Sequence, residues 1–157
     1  AESRSVNIDS IAWANLVFAG LLYAAFKSSS QSKSLTELTL FAALIIGCFQ
    51  ALAVFPGASR SGMAITGALI IGLNIKDTSR FAFLLSIPTI MGALILMLAK
   101  GAYSISFSDM LIMLTGFIGS SLIAFFTIKS FLQFVEKIGM IPFVLYRVAL
   151  GLVLLLI

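Results

Sequence analysis

The octapeptide FPGASRSG, residues 55–62, interrupts one of the most apolar parts of the chain. It combines a proline, two glycines, two serines and an arginine, whereas residues 38–55 before the break and 63–75 after it are almost wholly apolar. Pro56 cannot continue an α-helix, and Gly57 permits a tight bend. The sequence therefore predicts two apolar helical arms joined by a short polar loop.

The composition is that of a membrane protein. Of the 157 residues, 61% are hydrophobic and only 10% are charged, whereas a soluble domain carries roughly a quarter of charged residues. The mean hydropathy is +1.15. The net charge of +4 comes from lysines and arginines that lie mostly between apolar segments, as expected of anchors at lipid head groups rather than of a nucleic-acid-binding surface. We predict an all-α, polytopic membrane protein with no nucleic-acid partner.

The chain lacks histidine and has one cysteine, Cys48. The usual general base and the commonest transition-metal ligand are therefore missing from it, and no internal disulfide can form. Since Cys48 lies in an apolar run, we interpret it as a small buried hydrophobic residue rather than a reactive thiol.

The apolar segments predict four crossing helices and one broken element. A helix needs about 20 apolar residues to cross a bilayer. The predicted crossings are residues 11–26, 81–99 (with a kink at Pro88), 110–128 and 141–157. Residues 38–75 form the broken element, because its second arm is too short to cross. We expect residues 1–157 to form a single transmembrane domain.

The broken element either crosses the membrane or dips in and returns as a re-entrant hairpin. A return places six basic residues on one side, and these are Lys27, Lys33, Lys76, Arg80, Lys129 and Lys137. Arg4 and Lys100 then remain on the other side. This asymmetry agrees with the positive-inside rule, and it favours the hairpin, with the lysine-rich loops in the cytoplasm and the carboxyl terminus outside.

The loop of the broken element has the groups of an anion site. Ser59 or Ser61 can cap the second arm, whose first amides then have no helical partner and attract anions. Arg60 offers a planar fork of donors suited to phosphate oxygens. The alternative is a simple kink with the Arg60 side chain extended to the membrane interface. An arginine between two apolar arms favours the anion site over this alternative. Gln50, two turns before the loop, points into the same cavity or bonds a neighbouring helix.

Two other features have structural interpretations. We assign Arg147 to snorkelling at the interface or to pairing with Glu136, rather than to catalysis. Gly116 and Ser120 form a pair of small residues typical of a helix contact.

Three segments resemble one known family. They are GCFQALAVFPGASRSG (residues 47–62), FAFLLSIPTIMGA (residues 81–93) and KSFLQFVEKIGMIPFVLYR (residues 129–147). In this order they resemble undecaprenyl-pyrophosphate phosphatases of the bacitracin-resistance type, over roughly residue 38 to the end. The resemblance implies removal of the terminal phosphate of undecaprenyl pyrophosphate, which recycles the lipid carrier for peptidoglycan and cell-wall synthesis. It also implies two inverted halves, each with a re-entrant hairpin, that meet at a cavity open to the outer side.

The resemblance also implies the roles of the loop residues. Arg60 would hold and neutralise the diphosphate, and Ser59 would be a nucleophile or a phosphate ligand. The substrate-binding residues would be Gly57, Ser61, Gly62 and Gln50. The family has a threonine shortly after the second serine, where this chain has Ala64. Thr66 would face about 200° away on a helix, so the role of that threonine is not carried over.

The family's amino-terminal half, with its glutamate-rich motif, is not among these residues. The resemblance implies a divalent cation, Mg or Ca, whose ligands lie outside this chain. The acidic residues here all lie at span ends or in loops, and they are Glu2, Asp9, Glu37, Asp77, Asp109 and Glu136. We therefore expect half a site, completed by a complementary amino-terminal half or by a homo-oligomer.

The resemblance places the protein in the bacterial inner (plasma) membrane as a multi-pass protein, with the active site facing the periplasm or cell exterior. Its expected partner is the polyprenyl pyrophosphate lipid. The alternative is a non-enzymatic transporter or lipid-phosphate-binding protein that uses the same hairpin for anions. Phosphate release in the completed protein distinguishes the two.

Overall fold

The computed structural model describes residues 8–100 and 107–156, and these ranges form six α-helices joined by short connections. The helices are α1 (Ile8–Ser28), α2 (Leu40–Ala51), α3 (Arg60–Ile71), α4 (Ile75–Lys100), α5 (Phe107–Ile138) and α6 (Ile141–Leu156). Two 3₁₀ turns lie at Leu35–Glu37 and Leu52–Val54. No strand occurs in these ranges, which confirms the all-α prediction.

Three helices, α1, α4 and α5, are long and apolar enough to cross a membrane, while α2, α3 and α6 are shorter apolar helices. The helix α5 continues past the predicted span, which ended at Ile128, because no proline or glycine lies between Ile128 and Gly139. Gly139 has φ +79°, which ends the helix in a conformation that favours glycine. A Cβ there would lie 2.9 Å from the ring of Phe26, so the end of α5 lies against the end of α1.

The break between α2 and α3 falls where the sequence predicts it. The α2 helix ends at Ala51, a 3₁₀ turn follows, and Phe55 is extended (φ −69°, ψ 127°), as a residue before proline prefers. Ser59 is the N-cap of α3, and its hydroxyl accepts a hydrogen bond from the Gly62 amide at 3.1 Å.

The connections before α2 and after α3 lie side by side. The Lys33 amide donates to the Gly72 carbonyl at 3.0 Å, and the Asn74 amide donates to the Lys33 carbonyl at 2.9 Å. The Asp77 carboxylate accepts from the Leu35 amide at 3.0 Å. The paired helices α2 and α3 therefore start and finish at the same end of the bundle.

Helix α6 runs antiparallel to α1. The Gly139 end of α6 lies against Phe26, and a Cβ at Gly151 would lie 2.9 Å from Leu16. The tip of the α2–α3 pair reaches the same end as Gly151, since a Cβ at Gly57 would lie 2.6 Å from the Ile11 carbonyl oxygen. The loop tip thus lies near the start of α1, remote from the lysine-rich connections.

The core forms around α3, whose residues 62–69 are all buried. Helix α3 packs against α1, α2 and α4. In contrast, most apolar side chains of α4 beyond Phe83 and of α5 before Ile128 are exposed, as expected of surfaces that face lipid or further polypeptide. Cys48 is exposed on α2, so the prediction that it is buried was wrong: its helix is covered on only one side.

Candidate functional site

The tip of the α2–α3 pair depends on two glycines. Gly57 has φ +91°, and its missing side chain allows the backbone to lie directly against α1. Gly62 is buried, and a Cβ there would lie 2.7 Å from Nη1 of Arg147. Both glycines therefore allow other groups to approach the tip closely.

The start of α3 presents donors at this tip. Ser59 satisfies the amide of Gly62, but the amides of Arg60 and Ser61 have no partner within the helix. The Ser59 and Ser61 hydroxyl oxygens are 3.2 Å apart. Free amides, two hydroxyls and the positive end of a helix dipole together form a polar cluster suited to an anion.

Arg147 of α6 lies over this cluster. It is 8% exposed, and its guanidinium donates to the Gly57 carbonyl at 2.7 Å and to Oδ1 of Asn15 at 3.2 Å. The Asn15 amide donates to the Ile11 carbonyl at 3.1 Å, which fixes its oxygen toward Arg147. The arginine therefore links α1, the tip and α6.

The interpretation of Arg147 as a snorkelling or Glu136-paired residue was wrong. Glu136 pairs with Lys76 at 2.9 Å, and the other described ion pair joins Arg80 to Asp77 at 3.7 Å. Arg147 takes part in neither, so its partners in the described ranges are neutral oxygens. A buried cation without a carboxylate is costly, so the arrangement is suited to an anionic ligand.

A cavity of about 440 Å³ opens beside Arg147. It lies between α1, the tip, the end of α5, and α6, and we call it the tip cavity. Its polar side chains are Asn15, Ser59, Ser61, Tyr146 and Arg147, and its apolar ones are Leu22, Ala58, Ile65, Phe131, Met140, Phe143 and Leu150. The cavity is thus polar at the loop and apolar elsewhere.

Arg60 lies in a different cavity. This second cavity, of about 350 Å³, is lined by Arg60 and Gln50 on the α2 and α4 side of the tip. The Gln50 amide donates to the Thr89 hydroxyl at 2.9 Å. Arg60 is exposed and has no hydrogen bond in the ranges that the structure describes. Neighbouring helix residues point about 100° apart, which separates Arg60 from Ser59.

The residues predicted from the sequence therefore form two groups around the start of α3. Gly57, Ser59, Ser61 and Gly62 line the tip cavity, whereas Arg60 and Gln50 line the second cavity. Gln50 lines its cavity and also bonds a neighbouring helix, so both interpretations of it describe part of its role.

Two residues of the tip cavity were not predicted from the sequence. Asn15 was not considered as a site residue, and Arg147 was assigned a structural role instead of a place in the site. A signal was available, because both are polar residues inside apolar helices, the same property that marked Arg60. Their proximity to the loop, however, depends on how α1 and α6 pack, which no local pattern reveals.

These residues do not form a metal site by themselves. Within residues 8–100 and 107–156 there is no group of three or more His, Cys, Asp or Glu residues that could hold an ion. Neither cavity has a carboxylate in its lining. The donors present suit an anion, whereas a divalent cation needs oxygen ligands such as carboxylates.

The comparisons with known proteins give one consistent family. A family model described as bacitracin resistance protein BacA matches residues 2–153. Relatives named undecaprenyl-diphosphatase include one from Saccharophagus degradans, 43% identical over 94% of this chain and 55% of the relative. Another, from Teredinibacter turnerae, is 42% identical over 98% of this chain and 58% of the relative. A third, from Bacillus subtilis, is 38% identical over 83% of this chain and 48% of the relative.

The chain thus spans about half the length of these curated relatives. The loop FPGASRSG and Arg147 both lie inside the matched residues.

Proposed function

The chain belongs to the bacitracin resistance protein BacA family, and we propose that it supplies part of an enzyme that hydrolyses undecaprenyl pyrophosphate to undecaprenyl phosphate and inorganic phosphate. The relatives named undecaprenyl-diphosphatase support this activity. The observation that carries the proposal is the tip cavity, where a buried arginine without a carboxylate partner faces the free amides of a helix start.

The head group fits the polar end of this cavity. A diphosphate carries several negative charges and only hydrogen-bond acceptors, and the tip offers amides, hydroxyls and a guanidinium. Nη2 of Arg147 is held by the Gly57 carbonyl and by Oδ1 of Asn15. The remaining N–H groups of the guanidinium, on the cavity side, bind phosphate oxygens. Arg60 reaches the head group from the second cavity, so two arginines flank the start of α3.

The reaction breaks the phosphoanhydride bond between the two phosphorus atoms. Water supplies the oxygen that joins the terminal phosphate, and undecaprenyl phosphate leaves with the bridging oxygen. Positioning and charge neutralisation supply most of the catalysis in phosphoryl transfer. Arg60 and Arg147 therefore stabilise the charge that develops on the transferred phosphoryl group and on the leaving oxygen.

Ser59 acts as a phosphate ligand in this proposal. Its oxygen accepts from the Gly62 amide, and with Ser61 as the donor in the contact between the two hydroxyls the Ser59 proton is left for a phosphate oxygen. A nucleophilic serine needs an adjacent base, and the tip cavity holds neither a carboxylate nor a histidine among its lining residues. The base that activates water, and the ligands of any Mg or Ca ion, are therefore proposed to lie in the remainder of the protein, and no step is assigned to an ion here.

We propose that α2 and α3 form a re-entrant hairpin. Each has 12 residues and is about 18 Å long, well short of a bilayer core of about 30 Å. The connections before α2 and after α3 are joined by the backbone hydrogen bonds of Lys33 with Gly72 and Asn74. The remaining helices α1, α4, α5 and α6 cross, which gives four spans, and the hairpin is one half of an inverted pair whose other member lies outside this chain.

The orientation follows from the basic residues. Lys27, Lys33, Lys76 and Lys137 lie at the hairpin's open end, which we assign to the cytoplasm of a bacterial inner membrane. Gly57 lies against Ile11, and Ile11 is about 26 Å along α1 from Ser28. The tip therefore faces the periplasm or cell exterior. Arg4 lies outside the described residues, as does the side chain of Lys100.

Cysteine labelling tests this orientation. In a background in which the exposed Cys48 is replaced by alanine, Ser32→Cys should react with a membrane-impermeant maleimide only from the cytoplasmic side. Ser104→Cys, at a position outside the described residues, should react only from the outer side. Labelling of both positions from the same side would contradict the topology.

The activity is tested on the protein from the full reading frame, purified in detergent with and without Mg or Ca. Release of inorganic phosphate from undecaprenyl pyrophosphate and farnesyl pyrophosphate is expected. Tight binding of either lipid with no phosphate release under any of these conditions would contradict the proposal and favour a lipid-phosphate-binding protein.

Gly62→Ala should lower phosphate release by about tenfold to hundredfold, a loss typical of a catalytic group displaced by about 1 Å. The new Cβ would lie 2.7 Å from Nη1 of Arg147 and 3.2 Å from Cβ of Ser59, so the guanidinium and the N-cap residue must shift. The thermal midpoint should fall only slightly, because the higher helix propensity of alanine offsets part of the cost of the displaced contacts. Gly116→Ala is the control, since a Cβ there meets nothing within 4 Å. Equal rates for the two variants would show that the position of Arg147 is not critical.

A further inference from the structure

The tip cavity has an apolar arm that leads away from the loop. Asn15 lines the polar end, and Leu22 lines the other end. These two residues of α1 are about 10 Å apart along the helix axis. The arm therefore descends from the tip toward the lysine-rich end of the bundle.

Aromatic side chains form one wall of this arm. The rings of Phe131 and Phe143 both line the cavity and have centroids 5.0 Å apart. Phe83 packs edge-on against Phe131 at 5.3 Å, and Phe134 packs edge-on against Phe143 at 6.1 Å. These contacts hold the two lining rings from behind, so the wall is supported by its neighbours.

We propose that this arm binds the first isoprene units of the lipid substrate and that Phe131 and Phe143 position them. This inference rests on the proposed function, which places the diphosphate at the polar end. An isoprenoid chain is apolar and has no hydrogen-bonding groups, so it matches a lining of Leu22, Met140 and two phenylalanines. Its direction also fits, because a lipid with its head group near the outer surface has its tail toward the membrane interior.

Phe131 also marks where the remaining tail leaves the protein. Its side chain lines a second, open groove on the surface of α5, together with Phe126, Thr127, Ser130 and Phe134. The same ring thus lies between the arm and the open groove on α5. We assign the later isoprene units to this groove and to the bilayer beyond it.

The assignment predicts a dependence on tail length. Isopentenyl pyrophosphate, with one isoprene unit, is too short to use the whole arm, whereas farnesyl and undecaprenyl pyrophosphates fill it. Contacts made equally in the ground and transition states affect KM rather than kcat. Loss of the aromatic wall should therefore weaken the binding of long substrates only.

The experiment compares Phe131→Ala and Phe143→Ala with wild type in the full-length protein. We expect KM for farnesyl and undecaprenyl pyrophosphates to rise about tenfold, within the range for lost apolar contacts in a substrate pocket. The value of kcat should stay within about threefold, and kcat/KM for isopentenyl pyrophosphate within about twofold. Phe117→Ala is the matched control, because Phe117 lies on the same helix, is 69% exposed and lines neither cavity.

A second measurement uses the wild-type protein and so does not depend on folding of the variants. A farnesyl pyrophosphate analogue with a diazirine on its second isoprene unit, which isopentenyl pyrophosphate lacks, should crosslink to residues 129–146, and undecaprenyl pyrophosphate should compete. Crosslinks confined to the α2 and α4 side around Gln50 would overturn the inference. A KM change of the same size for all three substrates, or for none, would also overturn it.

These outcomes separate the inference from the proposed function. If wild-type protein releases no phosphate, the proposed function fails, and the crosslinks still show whether the lipid tail occupies the arm. If wild type releases phosphate and the variants do not discriminate by tail length, only the inference fails.

Discussion

Arg147→Ala is expected to lower the rate of phosphate release from undecaprenyl pyrophosphate by about 10³-fold in the full-length protein, as for other arginines that neutralise a transferred phosphoryl group. Its guanidinium is buried, bonds Gly57 and Asn15, and faces the free amides of α3. The variant loses both the positive charge at the head group and the link that holds the hairpin tip between α1 and α6.

Arg147→Lys separates these two effects. Lysine keeps the charge but not the planar fork, so it should recover part of the rate and remain at least about tenfold below wild type. Arg80→Ala is the control, because Arg80 is an exposed arginine at the opposite end of the bundle. Initial rates and the thermal midpoint are measured for each variant. A fully active, stable Arg147→Ala protein would remove Arg147 from the site.

Arg60→Ala is expected to lower phosphate release by at least about hundredfold while leaving the thermal midpoint within about one degree of wild type. Arg60 is exposed, and the described part of the chain offers it no hydrogen bond, so its removal breaks no structural contact. A large loss of activity without a loss of stability would show that its role lies in substrate binding or catalysis.

The outcome for Arg60 also decides how the two cavities are related. If both arginines contact one diphosphate, the double variant should lose less than the product of the single effects, since groups that act together are not additive. An Arg60→Ala protein with normal kinetics would restrict the site to the tip cavity. In that case the second cavity around Gln50 has another role.

The placement of Arg60 also bears on what could complete the proposed site. Its cavity is lined by the α2 and α4 faces, next to surfaces of α4 and α5 that are apolar and largely exposed. Relatives that extend well beyond this chain have further residues with which to cover such a surface. A partner segment with carboxylates at that place would supply the base and cation ligands that the described residues lack.

Much of the local structure could be predicted from particular residues. Pro56 and Gly57 predicted the position of the break, and the apolar runs predicted the long helices. The cap of the second arm was left open between Ser59 and Ser61, and the structure shows that it is Ser59. The length of α5 was underestimated, because the predicted span stopped with the apolar run at Ile128, whereas the helix continues through polar residues to the turn at Gly139. The burial of Cys48 was wrong, because an apolar residue of a membrane helix can face lipid as well as a core.

The site was only partly predictable. The loop residues were found because their signal is local: a charge, a proline and glycines within eight positions. Arg147 is 90 positions from Gly57, and Asn15 is 132 positions from Arg147. A single polar residue in an apolar helix has several possible partners, and nothing in its neighbourhood selects one of them.

The sequence by itself determined that the chain is helical and apolar, that a polar loop interrupts it at residues 55–62, and to which family it belongs. The helices and the break follow from backbone preferences and hydrophobicity, which act over a few residues, and the family follows from the matching residues along the chain. The tertiary structure decided which donors share a cavity, placing Arg147 rather than Arg60 beside Ser59 and dividing the predicted site in two. The physical reason is that the direction of a side chain depends on helix rotation and on the antiparallel packing of α1 with α6, and both are set by contacts between distant residues.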